Sequence, residues 1–312
     1  MVMKMLILGY SDLVKRKVIP AIKKLKNIKF DIASVSKNQT NTGHEKWYKN
    51  YLTAIEKSNA DVVYVSLVNS KHFTYAIESL NRNKNVIVDK PLCLKLNETK
   101  KLINTAKKKK LLVAEALVFA YHQQFKLIQS IIKKKNIKLN NIIMQFCIPK
   151  PKKNNFKLYK KFGGGCFNDM SPYAAAMIRF FFKSEPLAFS HIAKNTSQIN
   201  ESFNLAISSK DTNFFGIFSH NSEYKNNVNF LSKTHIITAE RFSAPPSDIN
   251  LIVNIRNKNK LKKILVKKND MFLNFFREYF LKLKGKKILF YHKRIMQDSI
   301  LINKLKIKRK LI

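Results

Sequence analysis

The sequence predicts an α/β protein with two domains: a doubly wound parallel sheet first, and then an α+β domain with a large, mostly antiparallel sheet. In the first 120 residues, short apolar segments alternate with segments of helical length and period, which is typical of parallel strands joined by helical crossovers. Beyond about residue 121, longer strand-like segments follow one another without regular helices between them. A chain of 312 residues is long enough for two such cores.

The domain boundary is therefore placed at residues 120 and 121, giving domains 1–120 and 121–312. The apolar, branched segments predicted as buried strands of the first domain are 5–8, 30–35, 62–66, 86–88 and 112–114. The helices predicted between them are 14–25, 51–58, 72–81 and 95–109. In the second domain the predicted strands are 141–148, 187–192, 203–208, 214–219 and 251–255, with a helix at 171–182 and helical pattern between 271 and 305.

The composition excludes several classes of function. The formal net charge of +41 first suggests a polyanion partner, but all except eight of the 60 basic residues are lysine, and they are scattered along the chain. We therefore expect no specific nucleic-acid partner. Three widely spaced cysteines make no metal or disulfide pattern, and no apolar segment has membrane-spanning length. We expect a cytoplasmic protein that binds neither a metal nor a membrane.

The first glycine of the chain directly follows the first predicted strand. In a Rossmann fold, a glycine turn at this point lets the next helix aim its N-terminus at a dinucleotide pyrophosphate. The turn continues through Ser11, Asp12 and Leu13, which we expect to contact a cofactor together with Gly9. The fingerprint is incomplete, because Ser11 and Val14 occupy the second and third glycine positions, and an ordinary turn between strand and helix remains the alternative.

The end of the second strand carries information about the cofactor. An acidic residue here would accept hydrogen bonds from the ribose diol of NAD, but the sequence has Ser36 and Lys37. A hydroxyl and a cation suit a 2′-phosphate, so NADP(H) is favoured and NAD(H) remains possible. The alternative is that Lys37 is one of many surface lysines.

Five further segments form a pattern that spans nearly the whole chain. They are Val65-Ser66-Leu67-Val68-Asn69-Ser70-Lys71-His72, Val88-Asp89-Lys90-Pro91, Glu115-Ala116, Tyr121-His122-Gln123-Gln124 and Gly163-Gly164-Gly165-Cys166-Phe167-Asn168-Asp169-Met170-Ser171-Pro172-Tyr173. Together they resemble the Gfo/Idh/MocA oxidoreductases. Asp89 replaces the family's glutamate, Gln123 replaces a proline, and Tyr173 is similar to the branch with sugar ketoreductases, glucose-fructose oxidoreductase and dihydrodiol dehydrogenase.

The resemblance implies roles for individual residues. It places Lys90 near the nicotinamide and the substrate, with Tyr173 as the proton donor and Asp169 orienting substrate hydroxyls or Lys90. Asp169 and Tyr173 would share one helical face if a helix begins at Asp169. The cofactor-binding residues that it adds are Asn69, His72, Asp89 and Lys90. His72 and His122 have structural roles as the alternative, and the triple glycine is expected to approach a ligand.

The predicted function is that of an NAD(P)-dependent oxidoreductase. It would transfer a hydride between nicotinamide and a sugar or nucleotide-sugar carbonyl or alcohol, in a direction that the sequence leaves open. The alternative is a non-catalytic dinucleotide-binding regulatory protein of the same fold, which the incomplete glycine fingerprint favours. Relatives commonly pair through the open face of the second sheet, which implies a homo-oligomer, either a dimer or a tetramer.

Overall fold

The computed structural model describes residues 2–35, 42–195 and 199–307, and the backbone of 309–311. The chain divides into two compact units. One unit contains Met1–Leu117 and Phe272–Ser299, and the other contains Val118–Met271 and Ile300–Ile312. Each unit is built on one sheet, the first parallel and the second mostly antiparallel, so the predicted fold class is confirmed.

The first unit contains a six-stranded parallel sheet. Its strands are β1 (Met3–Leu8), β2 (Ile28–Ala33), β3 (Trp47–Tyr48), β4 (Val62–Val65), β5 (Asn85–Asp89) and β6 (Val113–Ala116). They lie in the order β3-β2-β1-β4-β5-β6, which is the order of a Rossmann fold. Five strands were predicted, whereas β3 was not, because two residues are too few to show a periodicity.

Helices connect these strands. They are α1 (Ile19–Lys23), α2 (Tyr51–Lys57), α3 (His72–Asn81) and α4 (Leu96–Lys108). A π-helical segment, Val14–Val18, precedes α1 and widens the first helix directly after the β1 turn. Such widened turns occur mostly as single insertions within α-helices, frequently at functional sites.

The second unit contains a nine-stranded sheet. Its strands are β7 (Leu139–Cys147), β8 (Ala188–Asn195), β9 (Asn200–Ser208), β10 (Asn213–Ser219), β11 (Lys225–Ser232), β12 (His235–Glu240), β13 (Leu251–Asn257), β14 (Lys260–Val266) and β15 (Arg309–Leu311). Their order is β14-β13-β12-β11-β7-β10-β9-β8-β15. Helices α5 (Gln123–Lys134) and α6 (Cys166–Phe181) belong to the same unit, and α6 packs on β9 and β10.

The C-terminal helices α7 (Met271–Lys284) and α8 (His292–Ile307) show a difference from the predicted boundaries. Residues 272–299 were predicted in the second domain, but they group with the first sheet. The aromatic face of α7 explains this grouping, since the Phe276 ring lies 5.7 Å from the Tyr64 ring and the Tyr279 hydroxyl lies 3.5 Å from the Leu112 carbonyl oxygen. Residues from near the C-terminal end of the sequence therefore pack on the N-terminal sheet.

None of the helices in the described part of the chain has the length and apolar character needed to cross a membrane.

His292, at the start of α8, is a buried polar residue of the first unit. Neither of its ring nitrogens has a hydrogen-bond partner among the described residues. Burial, assisted by the positive charge of Lys107, lowers the pKa of His292 to about 4. The unfolded chain, in which this pKa is near 6.5, therefore binds more protons between pH 6.5 and pH 4, so the contribution of His292 to stability falls as the pH falls through that window.

We expect His292→Leu to raise the melting temperature, and to raise it more at pH 5 than at pH 8. The substitution removes two unpartnered nitrogens and a group that must take up a proton on unfolding. We expect a gain of about 1 to 2 kcal/mol at pH 5, measured by thermal denaturation at both pH values. His235→Leu is the control, because that ring lies on the surface of β12 and its nitrogens contact Thr234 and Asn257. An equal shift at the two pH values would contradict the assignment.

Candidate functional site

The carboxyl ends of β1, β4 and β5 form one edge of the parallel sheet, and Gly9 lies at its centre. Gly9 has a φ of +97°, and its amide donates to the Ala33 carbonyl oxygen at 2.8 Å. A Cβ atom at this position would lie 2.1 Å from the Ser66 carbonyl oxygen. No side chain fits there, so the first turn requires glycine for both its conformation and its close approach to the end of β4.

Ser11, in the second glycine position of the fingerprint, has its own structural use. Its Oγ accepts a hydrogen bond from the Val14 amide at 3.2 Å and lies 3.2 Å from the Ser66 Oγ. Ser66 in turn donates to Asp89 Oδ2 at 2.5 Å. Because the single hydroxyl proton of Ser66 is donated to Asp89, Ser11 donates to Ser66, and a chain of two serine hydroxyls links the turn after β1 to the end of β5.

Asp89 is the acceptor on which this chain ends. Its second carboxylate oxygen accepts a hydrogen bond from the Tyr64 hydroxyl. Burial raises the pKa of Asp89, while the hydrogen bonds from Ser66 and Tyr64 act to lower it. Burial and the neighbouring carboxylate raise the pKa of Tyr64 well above its usual value. Asp89 was predicted to contact the cofactor, but both of its oxygens accept from protein hydroxyls, so its visible role is to hold the end of β5.

His72 holds the turn that follows Lys90. The ring is fully buried, with Nδ1 2.7 Å from the Pro91 carbonyl oxygen and Nε2 3.0 Å from that of Leu67. A neutral imidazole carries one N–H and therefore donates to one of these two carbonyl oxygens. Burial lowers the pKa of His72 from its ordinary value, and this effect outweighs the opposite influence of the two carbonyls and of Asp89. The structure therefore gives this predicted cofactor ligand main-chain partners, and its role is to join the turns after β4 and β5.

The other side of the Lys90 turn is held by β6. The Leu92 amide donates to Glu115 Oε1 at 2.9 Å. With Asp89 fixed by hydroxyls and Pro91 held by His72, the main chain on both sides of Lys90 is constrained. Lys90 itself directly follows β5 at the carboxyl edge of the sheet, where open α/β sheets bind their ligands.

The remaining predicted cofactor residues divide into three groups. Asn69 is buried at the start of a short 3-10 turn before α3. Asp12 and Leu13 are exposed at the start of the first helix, directly after the Gly9 turn. Ser36 and Lys37 lie outside the described residues.

In the second unit, α6 carries the two predicted catalytic residues Asp169 and Tyr173. The helix begins at Cys166, five residues earlier than predicted, so Asp169 and Tyr173 lie one turn apart on one helical face. Gly163 and Gly165 before it have φ values of +75° and +102°. A Cβ on Gly164 would lie 2.5 Å from the Lys157 carbonyl oxygen. The triple glycine was expected to lie close to a ligand. The structure shows that Gly164 lies close to the main chain of the preceding turn.

Asp169 has two basic partners that the sequence did not reveal. Its Oδ2 lies 2.7 Å from Lys157 Nζ and 3.0 Å from His220 Nε2. The carboxylate and the imidazole are both buried, and His220 Nδ1 has no hydrogen-bond partner among the described residues. No local motif could identify the cluster, because its three members come from the turn before α6, from α6 and from the end of β10.

Tyr173 lies in an aromatic environment. Its ring centroid is 5.5 Å from that of Phe119 and 5.2 Å from that of Phe146, and the residue is half-buried. These contacts restrict the ring while its side chain keeps part of its surface exposed. Tyr173 and Asp169 therefore both lie in the N-terminal half of α6, one turn apart.

His122 acts as a cap for α5. Its Nδ1 accepts from the Gln124 amide at 3.1 Å. Burial lowers the pKa of His122 to about 4, and this effect outweighs the opposing influence of Asn269 and Asp270. The structural alternative for this histidine fits these contacts. Among the described residues there is no group of three or more His, Cys, Asp or Glu side chains that could hold a metal ion.

Comparison with known proteins identifies relatives among oxidoreductases. Residues 4–117 match the model of the Gfo/Idh/MocA oxidoreductase family, NAD-binding Rossmann fold. The chain is 24% identical over 229 residues, 70% of its length and 68% of the relative's, to a dTDP-3,4-didehydro-2,6-dideoxy-α-D-glucose 3-reductase from Saccharopolyspora spinosa. It is 29% identical over 114 residues, 33% of this chain and 29% of the relative, to the D-xylose 1-dehydrogenase (NADP+) of Hypocrea jecorina.

Solved structures share the fold over the whole chain. A 3-ketoreductase from Actinomadura kijaniata, in complex with NADP and TDP-benzene, superposes with a TM-score of 0.94 at 18% identity, covering 100% of this chain and 99% of that one. Further structures of the same ketoreductase carry substitutions of one lysine and of one tyrosine. At this identity the likeness shows the fold alone.

We expect Asp169→Asn to lower the free energy of unfolding by about 1 to 3 kcal/mol, because an amide leaves Lys157 and the buried His220 without a carboxylate acceptor. Urea denaturation at pH 7 measures the change. Asp211→Asn is the matched control, since that carboxylate is exposed and accepts a surface hydrogen bond from Ser184. Equal effects of the two substitutions would show that the Asp169 cluster contributes nothing specific to stability.

Proposed function

We propose that the chain is an NAD(P)-dependent enzyme acting on a sugar or nucleotide-sugar, because residues 4–117 match the model of the Gfo/Idh/MocA oxidoreductase family. It transfers a hydride between nicotinamide and a carbonyl or alcohol group of that substrate. The observation that carries the proposal is the carboxyl edge of the parallel sheet, where the Gly9 turn and the Lys90 turn are held by a shared hydrogen-bond chain.

The cofactor fits this edge of the sheet. The main chain at Gly9 leaves no room for a Cβ, and the first helix begins directly after the turn, which is the arrangement that binds a pyrophosphate. Gly9, Ser11, Asp12 and Leu13 would hold the pyrophosphate, and Lys90 would lie at the nicotinamide end. When bound, the cofactor supplies or accepts the hydride.

NADP(H) is the favoured cofactor. Two observations support it: the 3-ketoreductase of similar fold is complexed with NADP, and the xylose dehydrogenase relative is an NADP+ enzyme. In this chain, Ser36 and Lys37 replace the acidic residue that an NAD ribose would need. NAD(H) remains the second candidate.

The chain's own residues supply the proton and the charge. The Tyr173 hydroxyl donates a proton to the alkoxide that forms on carbonyl reduction, and accepts it in the reverse direction. The Lys90 ammonium stabilises negative charge that develops on the reacting oxygen. Asp169, with its bonds to Lys157 and His220, positions the first turns of α6, and Tyr173 follows one turn later.

The second candidate is a regulatory protein that binds the dinucleotide without turnover. The missing glycines favour it, but Ser11 is accommodated by its bonds to Val14 and Ser66. The names of the relatives and the presence of Lys90 and Tyr173 favour the enzyme. Three free cysteines fit a reducing cytoplasm, and a small-molecule substrate needs neither nucleic acid nor a membrane as a partner.

We also propose that the chain is a homo-oligomer, dimer or tetramer, that associates through one face of its second sheet. The strand register places Ile217 of β10 next to Asn204 of β9, and Asn204 next to Ile192 of β8, on one face of the sheet. The large apolar side chains exposed on this face are Ile192, Phe215, Ile217, Ile236, Ile252, Leu261 and Leu265. Large apolar side chains exposed together on one face are typical of a surface covered by a partner.

The activity is tested with purified protein, NADPH or NADH, and a panel of nucleotide-linked ketosugars and free sugars. We expect Tyr173→Phe and Lys90→Ala each to lower kcat by about 10²-fold or more, because each removes a group that acts on the reacting oxygen. Tyr173→Phe should leave the affinity for NADPH unchanged. Tyr224→Phe, an exposed tyrosine, is the control. Tight NADPH binding without turnover of any substrate would favour the regulatory protein.

The oligomer is tested by light scattering after size exclusion. We expect Phe215→Glu with Ile217→Glu to shift the molar mass of the wild-type oligomer to that of the monomer, since buried carboxylates would oppose association. Leu281→Glu, at an exposed leucine of α7, should leave the mass unchanged. A monomeric wild-type protein at micromolar concentration would exclude this interface.

A further inference from the structure

The two-residue strand β3 is fixed against β2 more firmly than its length suggests. The Ile32 amide donates to the Lys46 carbonyl oxygen at 3.0 Å, and the Lys46 amide donates to Asp31 Oδ1 at 3.1 Å. Asp31 is fully buried and also accepts from the Ser58 hydroxyl at 2.9 Å. These bonds place Trp47 beside Ile32, near the carboxyl end of β2.

Trp47 is the centre of an aromatic cluster at this edge. Its ring centroid lies 5.1 Å from that of Tyr10 at an interplanar angle of 77°, and 5.4 Å from that of His44 at 63°. All three residues are half-buried, so the rings pack on one another and still present surface. Tyr10 directly follows Gly9, which joins the cluster to the turn proposed to hold the pyrophosphate.

A cation lies on the same cluster. Lys15 Nζ is 4.7 Å from the centroid of the Tyr10 ring, and Lys15 is exposed. Lys15 lies in the segment Val14–Val18, and its amide donates to the Ser11 carbonyl oxygen at 3.0 Å. Aromatic surface beside an ammonium group is the combination that stacks a base and attracts a phosphate.

The strand order decides which end of a dinucleotide could reach this cluster. Lys90 follows β5, two strands from β1 on one side, and Trp47 lies in β3, two strands from β1 on the other. With strands about 4.8 Å apart, each lies about 10 Å from the Gly9 turn. A pyrophosphate at Gly9 with nicotinamide towards Lys90 therefore directs the adenosine towards β3.

We propose that Trp47, Tyr10 and Lys15 form the adenosine subsite of the cofactor site. The aromatic surface of Trp47 and Tyr10 packs against the adenine, and the Lys15 ammonium pairs with an adenosine phosphate. This inference rests on the proposed function, because it presupposes a dinucleotide at the Gly9 turn. It assigns affinity for the adenosine half to residues outside the glycine fingerprint, which is incomplete in this chain.

The chain offers a direct probe, because Trp47 is its only tryptophan. Its fluorescence is titrated with three ligands: NADP+, adenosine 2′,5′-bisphosphate for one half of the cofactor, and nicotinamide mononucleotide for the other. We expect saturable quenching by NADP+ and by the bisphosphate, and no change with the mononucleotide at the same concentrations. Calorimetry on the same samples measures binding independently of the tryptophan.

Variants then separate the two interactions. We expect Trp47→Ala to weaken bisphosphate binding by about tenfold, as for loss of one base-stacking contact, and Trp47→Phe to retain most of the affinity. Lys15→Ala should weaken binding of the bisphosphate more than that of unphosphorylated adenosine, and Lys17→Ala, in the same helical segment, is its control. The wild-type quenching test keeps the proposal falsifiable even if Trp47→Ala does not fold.

Failure of the proposed subsite and failure of the proposed function give different results. Calorimetric binding of NADP+ with unchanged Trp47 emission and unchanged affinity in Lys15→Ala would overturn the subsite and leave the proposed function standing. Calorimetric binding of the mononucleotide with quenching of Trp47 would reverse the proposed orientation. Absence of binding of NADP+, NADPH and NADH to the wild-type protein would overturn both.

Discussion

The contact on which the parallel sheet's functional edge depends is the approach of Gly9 to the main chain of Ser66. Because no Cβ fits between them, the turn after β1 lies directly against the end of β4. That proximity lets Ser11 reach the Ser66 hydroxyl, and Ser66 reaches Asp89 at the end of β5. Three strand ends are thus held together by one hydrogen-bond chain.

These hydrogen bonds explain how an incomplete glycine fingerprint is compatible with the fold. A glycine in place of Ser11 would free backbone space but leave Ser66 without that hydroxyl partner. The widened helix that follows, Val14–Val18, is a second departure from the usual arrangement of this turn. Together they change how the edge is held, while the strand order stays that of a Rossmann fold and Lys90 follows β5 directly.

The sequence predicted the parts of the molecule that depend on local pattern. The apolar segments of β1, β2, β4, β5 and β6 and the helices between them are such parts, as is α6, although its start lies before the predicted one. The strands of the second sheet that were missed are rich in polar residues. In β14, Lys260–Val266, three of seven residues are lysine, and a strand of this composition is specified by its partner β13 rather than by its own propensity.

Prediction of the site had a similar limit. Lys90, Asp169 and Tyr173 were predicted as catalytic residues from motifs, but the side chains that contact Asp169 were not predicted. Lys157 and His220 are 12 and 51 residues from Asp169 in sequence, and no periodic pattern connects them. Likewise, the link from His72 to Pro91 spans 19 residues and uses a main-chain acceptor, which every residue possesses and no sequence pattern can mark.

Because these acceptors belong to the main chain, the Lys90 turn tolerates substitution of the residues that supply them better than substitution of His72. His72 contacts the carbonyl oxygens of Leu67 and Pro91 rather than their side chains. A substitution at position 67 therefore preserves the contact with His72 as long as the backbone path is kept, whereas a substitution of His72 removes both contacts together. We expect this turn to tolerate substitutions at residues that contribute only their backbone, and not at the residue that contributes its side chain.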